Sequence, residues 1–533
     1  MLFSAALPAV FLLFSALFVA ANDPNDPDDD IRNFNNVRYT AALTVGEKTI
    51  NVILDTGSTD LWLNPYDGVG WFEDTGVSHE IRYGEGATFI NGTIGLADMS
   101  IAGHDIHHQA FINVSQIAGL DACGSGICGL VGLGFDSPTA GIEKALTDGG
   151  LDGPKIGKSV LSSIFDMNPD KGRFFALSLS RLGDAKDTAE ASLSIAEYDP
   201  LYAGVQWLAK RLVYPPTAKS WRLLADGISV NGASVPWPAV SAATPAGHHV
   251  VLLDTGTTNI LVPAPIRDAI FSAVPGAFLA KNSTLRNSHW SADRDVWVVP
   301  CDTPVSFSVT FGGQPYPLHP LDLTDLRTQV GPDGTTYKYC VGSITNGGTI
   351  TTGGTDALYG DSFLRNVYTV FSFGDNTTAT PYVQLMSQTN EWESTQDFAH
   401  VRQQQLAASP GTEIHPAELI HLFDGVEVWH DAASTTASSS SPSSTAKLAG
   451  NLADVDVAAV LGDATTPSKY VFIIIGLLAA NLLIVLVLAV LGVTNLVRGR
   501  RSVGPTRVAY MPTRTKDDSL MRSSFEDRPY SDK

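Results

Sequence analysis

Two stretches decide how this chain is read: VILDTGSTDLWL at 52–63 and VVLLDTGTTNILV at 250–262. In each, an apolar, β-branched run leads into Asp-Thr-Gly, passes a hydroxyl residue and returns to apolar residues. The two aspartates, Asp55 and Asp254, stand 199 positions apart. A third Asp-Thr-Gly starts at Asp74, but it follows WFE and precedes Val77 and Ser78, with neither an apolar strand nor a hydroxyl in register. We read Asp74 as a coincidence on a surface loop. The matched pair predicts a duplicated architecture in which each lobe donates one aspartate to a shared cleft.

The residue types around each aspartate suit that arrangement. Gly57 and Gly256 let two loops approach without a Cβ clash. Thr56 and Thr255 can hydrogen-bond across to the opposite loop, and Ser58 and Thr257 can each donate to the outer oxygen of their own aspartate. Two carboxylates held that close cannot both ionise, so they share a proton and titrate as a pair. One can then take a proton from water while the other donates to a substrate carbonyl. That chemistry hydrolyses a peptide bond with no metal, no cofactor and no covalent adduct.

The flanking sequence is consistent with such a body. From Tyr39 to about Leu385, short runs such as KTINVILD, HVVLLD, VSFSVTF and YTVFSF alternate with Gly, Asn and Pro, which reads as mostly β. About 350 residues of this pattern predict two lobes, 38–210 and 211–388. PAPIRDAIFSAV, from 263, is the best helical patch. Charge narrows the function: 34 Lys+Arg against 55 Asp+Glu give net −21, which disfavours nucleic-acid partners. His104, His107 and His108 read as solvated rather than metal-binding. Cys123 and Cys128, with four residues between them, most simply form a small loop disulfide.

At these residues the chain resembles the pepsin-like aspartic proteases, as a membrane-anchored, fungal-type member. RYTAALTVGEKTINVILDTGSTDLW is similar to that family's first strands, with Trp62 seven residues past the aspartate. IRYGEGATFINGTIG resembles the flap hairpin, with Gly84 and Gly86 in its turn, and the resemblance implies that Tyr83 closes over the substrate and contacts Trp62. CGLVGLGF (128–135) and ALYGDSFLRNVYTVFSF (357–373) resemble the apolar segments that follow in the two lobes, although Tyr359 stands where the family usually has a branched aliphatic residue. The resemblance also implies a Cys301–Cys340 bridge, a mainly all-β bilobal fold, and an endopeptidase active at acidic pH on extended polypeptides, working as a monomer. Against the family pattern, residues 22–38 are short and hold five Asp where a basic prosegment is usual. A catalytically silent pepsin fold serving as a binding module is the competing reading; its mark would be loss of an Asp or its Gly, and both units are intact.

The ends of the chain set its expected topology. Leu2 to Ala21 is apolar and closes with Val19 and Ala21, which reads as a signal peptide over 1–21, followed by an acidic segment at 22–37. Residues 389–469 are polar and carry a Ser/Thr/Pro tract at 434–445, which reads as a stalk; the LIHLFDGVEVW piece at 419–429 stays open between stalk and a short structured segment. Tyr470 to Val493 contains no charged residue and at about 1.5 Å per residue is long enough to span a bilayer. Residues 494–533 then carry net +4, which places the tail in the cytosol and the ectodomain outside or in an acidic lumen, as a single-pass, type I membrane protein. Tyr510 and Tyr530 lie in that tail. Sequons at Asn91, Asn113, Asn282 and Asn376 all precede the apolar run, as expected of N-glycosylation on a secreted face.

Overall fold

A computed structural model describes residues 31–426, apart from 85–87, 121–122, 184–190, 238–243, 288–289 and 352–353. The expected signal peptide, most of the expected stalk, the apolar run and the tail lie outside the described residues. Within them, no helix is long and apolar enough to cross a membrane.

The N-terminal lobe is built on one sheet of eight strands. We label them β1 (Arg32–Phe34), β2 (Arg38–Val45), β3 (Lys48–Asp55), β4 (Leu61–Leu63), β5 (Glu73–Tyr83), β6 (Thr88–Ile101), β7 (His104–Ala118) and β8 (Ile127–Gly132). Their order across the sheet is β1-β2-β3-β8-β4-β7-β6-β5. β3 delivers Asp55 at its C-terminal end, pairs in parallel with β8, and β8 in turn pairs antiparallel with β4. The C-terminal lobe repeats this unit. His249–Leu253 runs up to Asp254 and pairs in parallel with Ala357–Tyr359, which pairs antiparallel with Ile260–Val262. The duplication in sequence is therefore a duplication in strand topology.

A five-stranded sheet joins the lobes. Phe174–Ser178 from the first pairs with Val367–Ser372 from the second, with Leu177 opposite Thr369. Behind it, rings from both halves of the chain pack together. Trp221 lies 4.4 Å from Phe135 and 5.2 Å from Phe371, and Phe175 stacks on Phe371 at 4.8 Å. Trp221 also donates from Nε1 to the Leu133 carbonyl at 3.0 Å. Large buried rings supply much apolar area per residue, so this seam fixes the lobes against each other. Disulfides join Cys123 to Cys128 and Cys301 to Cys340.

Three features differ from the sequence reading. Asp74 lies at the start of strand β5 rather than in a loop, where it is exposed and accepts from Gly76 N at 2.9 Å. The first strand begins at Arg32, inside the segment expected to be an extended leader, and Ile31 is already buried. The folded body also continues past 388, where the stalk was expected to start. A helix at Glu391–Ala408 is capped by Asn390, whose side chain accepts from Trp392 N and Glu393 N, and it buries Phe398 and Val401. Thr412 and Glu413 pair in parallel with Tyr337 and Lys338. A second helix, Pro416–Asp424, buries Leu419 and Ile420 against Val298, Tyr339 and Val341 and ends at Gly425 with φ +69°. A left-handed glycine after the last turn is a strong stop signal. Polar composition hid the first helix because only a few of its side chains face inward.

Replacing Phe398 with Ala should therefore destabilise the protease body by about 3–5 kcal/mol, the usual cost of emptying a buried aromatic site. Chemical denaturation of the two proteins would measure it, and a stalk beginning at 389 would leave the midpoint unchanged.

Candidate active site

The two aspartate loops meet at the junction of the lobes and are tied by four hydrogen bonds. Thr56 Oγ1 donates to the Leu253 carbonyl at 2.9 Å and accepts from Thr255 N at 3.0 Å. Thr255 Oγ1 reciprocates, donating to the Leu54 carbonyl at 2.7 Å and accepting from Thr56 N at 3.0 Å. Both threonines are buried. Such fully satisfied buried networks are stiff, because leaving any member unpaired costs about 1–3 kcal/mol.

The glycines set the separation of the carboxyls. A methyl group on Gly57 would lie 2.5 Å from Asp254 Oδ1, and one on Gly256 would lie 2.5 Å from Asp55 Oδ1. Each glycine is thus the seat of the opposite aspartate. Gly57 N donates to Asp55 Oδ1 at 2.8 Å, and Gly256 N to Asp254 Oδ1 at 2.9 Å. The outer oxygens are held by hydroxyls, Ser58 Oγ to Asp55 Oδ2 at 2.5 Å and Thr257 Oγ1 to Asp254 Oδ2 at 2.7 Å. The two carboxyls are neighbours, since a methyl group on Gly256 would lie 2.5 Å from Asp55 Oδ1 and 3.1 Å from Asp254 Oδ1. Burial, followed by the charge of Asp254, pushes the Asp55 carboxyl well above its ordinary range, as expected where two acids compete for one proton.

Above the dyad, Trp62 Nε1 donates to Tyr83 Oη at 2.8 Å, fixing the end of β5 over the cleft. Gly84 follows with φ +55°; Gly86 lies outside the described residues. The cleft measures about 760 Å³ and is lined by the dyad, Trp62 and Tyr83 together with the apolar Ile53, Leu120, Ile127, Leu130 and Leu358. That volume and lining suit part of a peptide carrying bulky apolar side chains. The sequence reading placed Asp55, Asp254, their threonines, glycines and hydroxyls, Trp62 and Tyr83; all of these converge here. It missed Arg38, which lines the same cleft, and Asp361, fully buried with neither carboxyl oxygen paired among the described residues. Burial pushes the Asp361 carboxyl well up, with Arg365 and Arg38 opposing. Nothing in the local sequence around Arg38 points to a cleft, because its position depends on a hairpin that sequence alone did not show. The sequons lie elsewhere, with Asn91 on β6, Asn113 on β7, and Asn282 and Asn376 exposed.

The sequence model of the eukaryotic aspartyl protease family matches residues 70–380. The chain belongs to this family. The matched span includes Asp254 and begins downstream of Asp55, so Asp55 joins the pair through the geometry just described. Among curated relatives of this aspartyl protease, a probable aspartic-type endopeptidase of Aspergillus fumigatus is 24% identical over 63% of this chain and 77% of its own length. Major aspartyl peptidase 1 of Cryptococcus neoformans is 24% identical over 65% of this chain and 68% of its own. Vacuolar protease A of Neurospora crassa is 25% identical over 65% and 79%.

The raised Asp55 carboxyl ties the protease's stability to pH. A carboxyl whose folded pKa exceeds its unfolded value near 4 favours the folded state while both forms are protonated. That contribution is lost as pH rises through the folded pKa, which burial and the charge of Asp254 push up to about 8. Melting temperature should therefore fall between about pH 5 and pH 8, and Asp55→Asn, which cannot ionise, should flatten the fall. An equally steep decline in the variant would contradict the shared-proton arrangement.

Proposed function

We propose that this aspartyl protease hydrolyses peptide bonds at acidic pH through a water activated between Asp55 and Asp254. The observation that carries the proposal is the reciprocal seating of each carboxyl against the other loop's glycine. With one proton between them, the ionised carboxylate takes a proton from water as its oxygen attacks the scissile carbonyl carbon. The protonated carboxyl gives its proton to the carbonyl oxygen, forming a tetrahedral diol. Collapse of the diol breaks the C–N bond as the amine nitrogen takes up a proton, and the dyad returns to its singly protonated state. Ser58 and Thr257 act as positioning residues, holding the outer carboxyl oxygens. Tyr83, tied to Trp62, covers the peptide and restricts water to the reacting one. The substrate is an extended polypeptide with bulky apolar side chains near the scissile bond, in keeping with the cleft lining.

We further read the protease as anchored by 470–493, with its catalytic body on the lumenal or extracellular side. The support is the uncharged 24-residue run, the basic residues that follow it and the sequons that precede it.

Replacing Asp254 with Asn should lower kcat by at least about 10³-fold while circular dichroism and cooperative unfolding persist, and pepstatin, which mimics the diol, should block the parent protein. Turnover that survives in Asp254→Asn would refute the dyad. In an alkaline carbonate wash the full chain should stay with membranes, whereas a chain ending at 469 should be released.

A further inference from the structure

We infer that Arg38 makes this protease select an acidic side chain in its substrate, a few residues from the scissile bond on the side of the cleft bounded by Thr258 and the β1–β2 hairpin. This inference rests on the dyad reading above and adds a specificity to it.

Arg38 is the basic side chain among the described residues that line the cleft, whose other members are apolar or hydroxyl-bearing, the amide Asn35 and the two aspartates. Its Nη1 donates to Thr258 Oγ1 at 2.6 Å and to the Val37 carbonyl at 2.8 Å. Thr258 is itself oriented by donating to the Val37 carbonyl at 2.9 Å, and it adjoins Thr257, which holds Asp254. Only Nη1 makes hydrogen bonds to the described residues, and the guanidinium forms no ion pair with a described carboxylate, although its charge reaches the buried Asp361. Arg38 is half-buried and lines the cleft, and an arginine fork with one nitrogen anchored and donors to spare suits a carboxylate.

The hairpin holds that fork in place. Phe34 stands opposite Arg38 in the β1–β2 register, so the two side chains project from the same face and both line the cleft. The turn between them uses Asn35 and Asn36 with φ near +56° and +57°, a conformation asparagine tolerates better than most residues. Asn33 Nδ2 donates to the Ser180 carbonyl at 2.8 Å. Asn36 Oδ1 accepts from Leu182 N at 2.8 Å, and Arg365 Nη1 donates to the Asn36 carbonyl at 3.0 Å. Tyr39, on the opposite face, is wholly buried. A cation fixed by its scaffold loses little freedom on binding a partner. The dyad nearby carries net negative charge once it holds a single proton, so an acidic substrate residue is otherwise disfavoured in this cleft; Arg38 reverses that sign locally.

The experiment compares peptide pairs that differ only by Glu or Gln at successive positions on either side of one cleavable bond. It is run with the whole protein at about pH 5.5, above the ordinary glutamate pKa. The parent protein should show roughly tenfold higher kcat/KM for Glu over Gln at one position, the scale of a half-exposed charge-assisted contact. In Arg38→Gln the ratio at that position should collapse to about one, in Arg38→Lys it should partly survive, and in Arg38→Glu a Lys-bearing peptide should become preferred. Because each ratio is measured within one variant, loss of folded protein does not alter it. A ratio near one at every position in the parent, or a Glu preference that survives Arg38→Gln, overturns the inference. If the neutral Gln peptides are not cleaved at all, the dyad reading fails and this inference fails with it; cleavage with a flat ratio removes the inference alone.

Discussion

Everything in this structure depends on two loops held so close that only glycine fits between them. The Thr56–Thr255 exchange of four hydrogen bonds supplies the restraint, and the strands behind each loop supply its direction. Without that restraint, two adjacent acids would move apart to be hydrated separately, since a buried carboxylate pair is costly. With it, mutual repulsion has one outlet, which is retention of a proton. The reactivity of the site is thus a consequence of packing rather than of any unusual side chain.

The joining sheet and the aromatic seam extend the same logic. A dyad divided between two lobes is only as precise as the lobes' relative placement. The pairing of Phe174–Ser178 with Val367–Ser372 and the rings around Trp221 provide that placement. A buried charged cluster adds to it: Asp322 accepts from Arg181 and from Arg365, the latter at 2.7 Å, and Asn366 donates to it at 2.9 Å. The two guanidinium groups hold the Asp322 carboxyl well below its usual range against the effect of burial. Removing one member of such a cluster leaves a buried charge uncompensated, so the network makes the lobe arrangement specific.

The legible parts of the sequence were those where chemistry and local pattern coincide. Asp55 and Asp254 stood out because a polar triplet interrupts an apolar strand, which is costly unless the carboxylate has work to do there. Tyr83 and Trp62 were readable through resemblance, IRYGEGATFINGTIG to the family's flap hairpin and the segment ending at Trp62 to its first strands. The helix at 391–408 was not, since a mostly solvated helix that buries Phe398 and Val401 on one edge has nearly the composition of a linker. The early strand at 32–34 was hidden for a related reason: its anchors, Asn33 and Asn36, look like turn or linker residues until Ser180 and Leu182 are brought beside them. Arg38 inherited that obscurity, because its role depends on contacts distant in sequence.

The central claim is that Asp55 and Asp254 share one proton, and carboxyl-carbon NMR of the protein labelled in its aspartates tests it most directly. The account predicts a coupled pair that keeps one proton far above the ordinary aspartate range, with that high step absent in Asp254→Asn. Two carboxyls titrating independently near their ordinary value would contradict it.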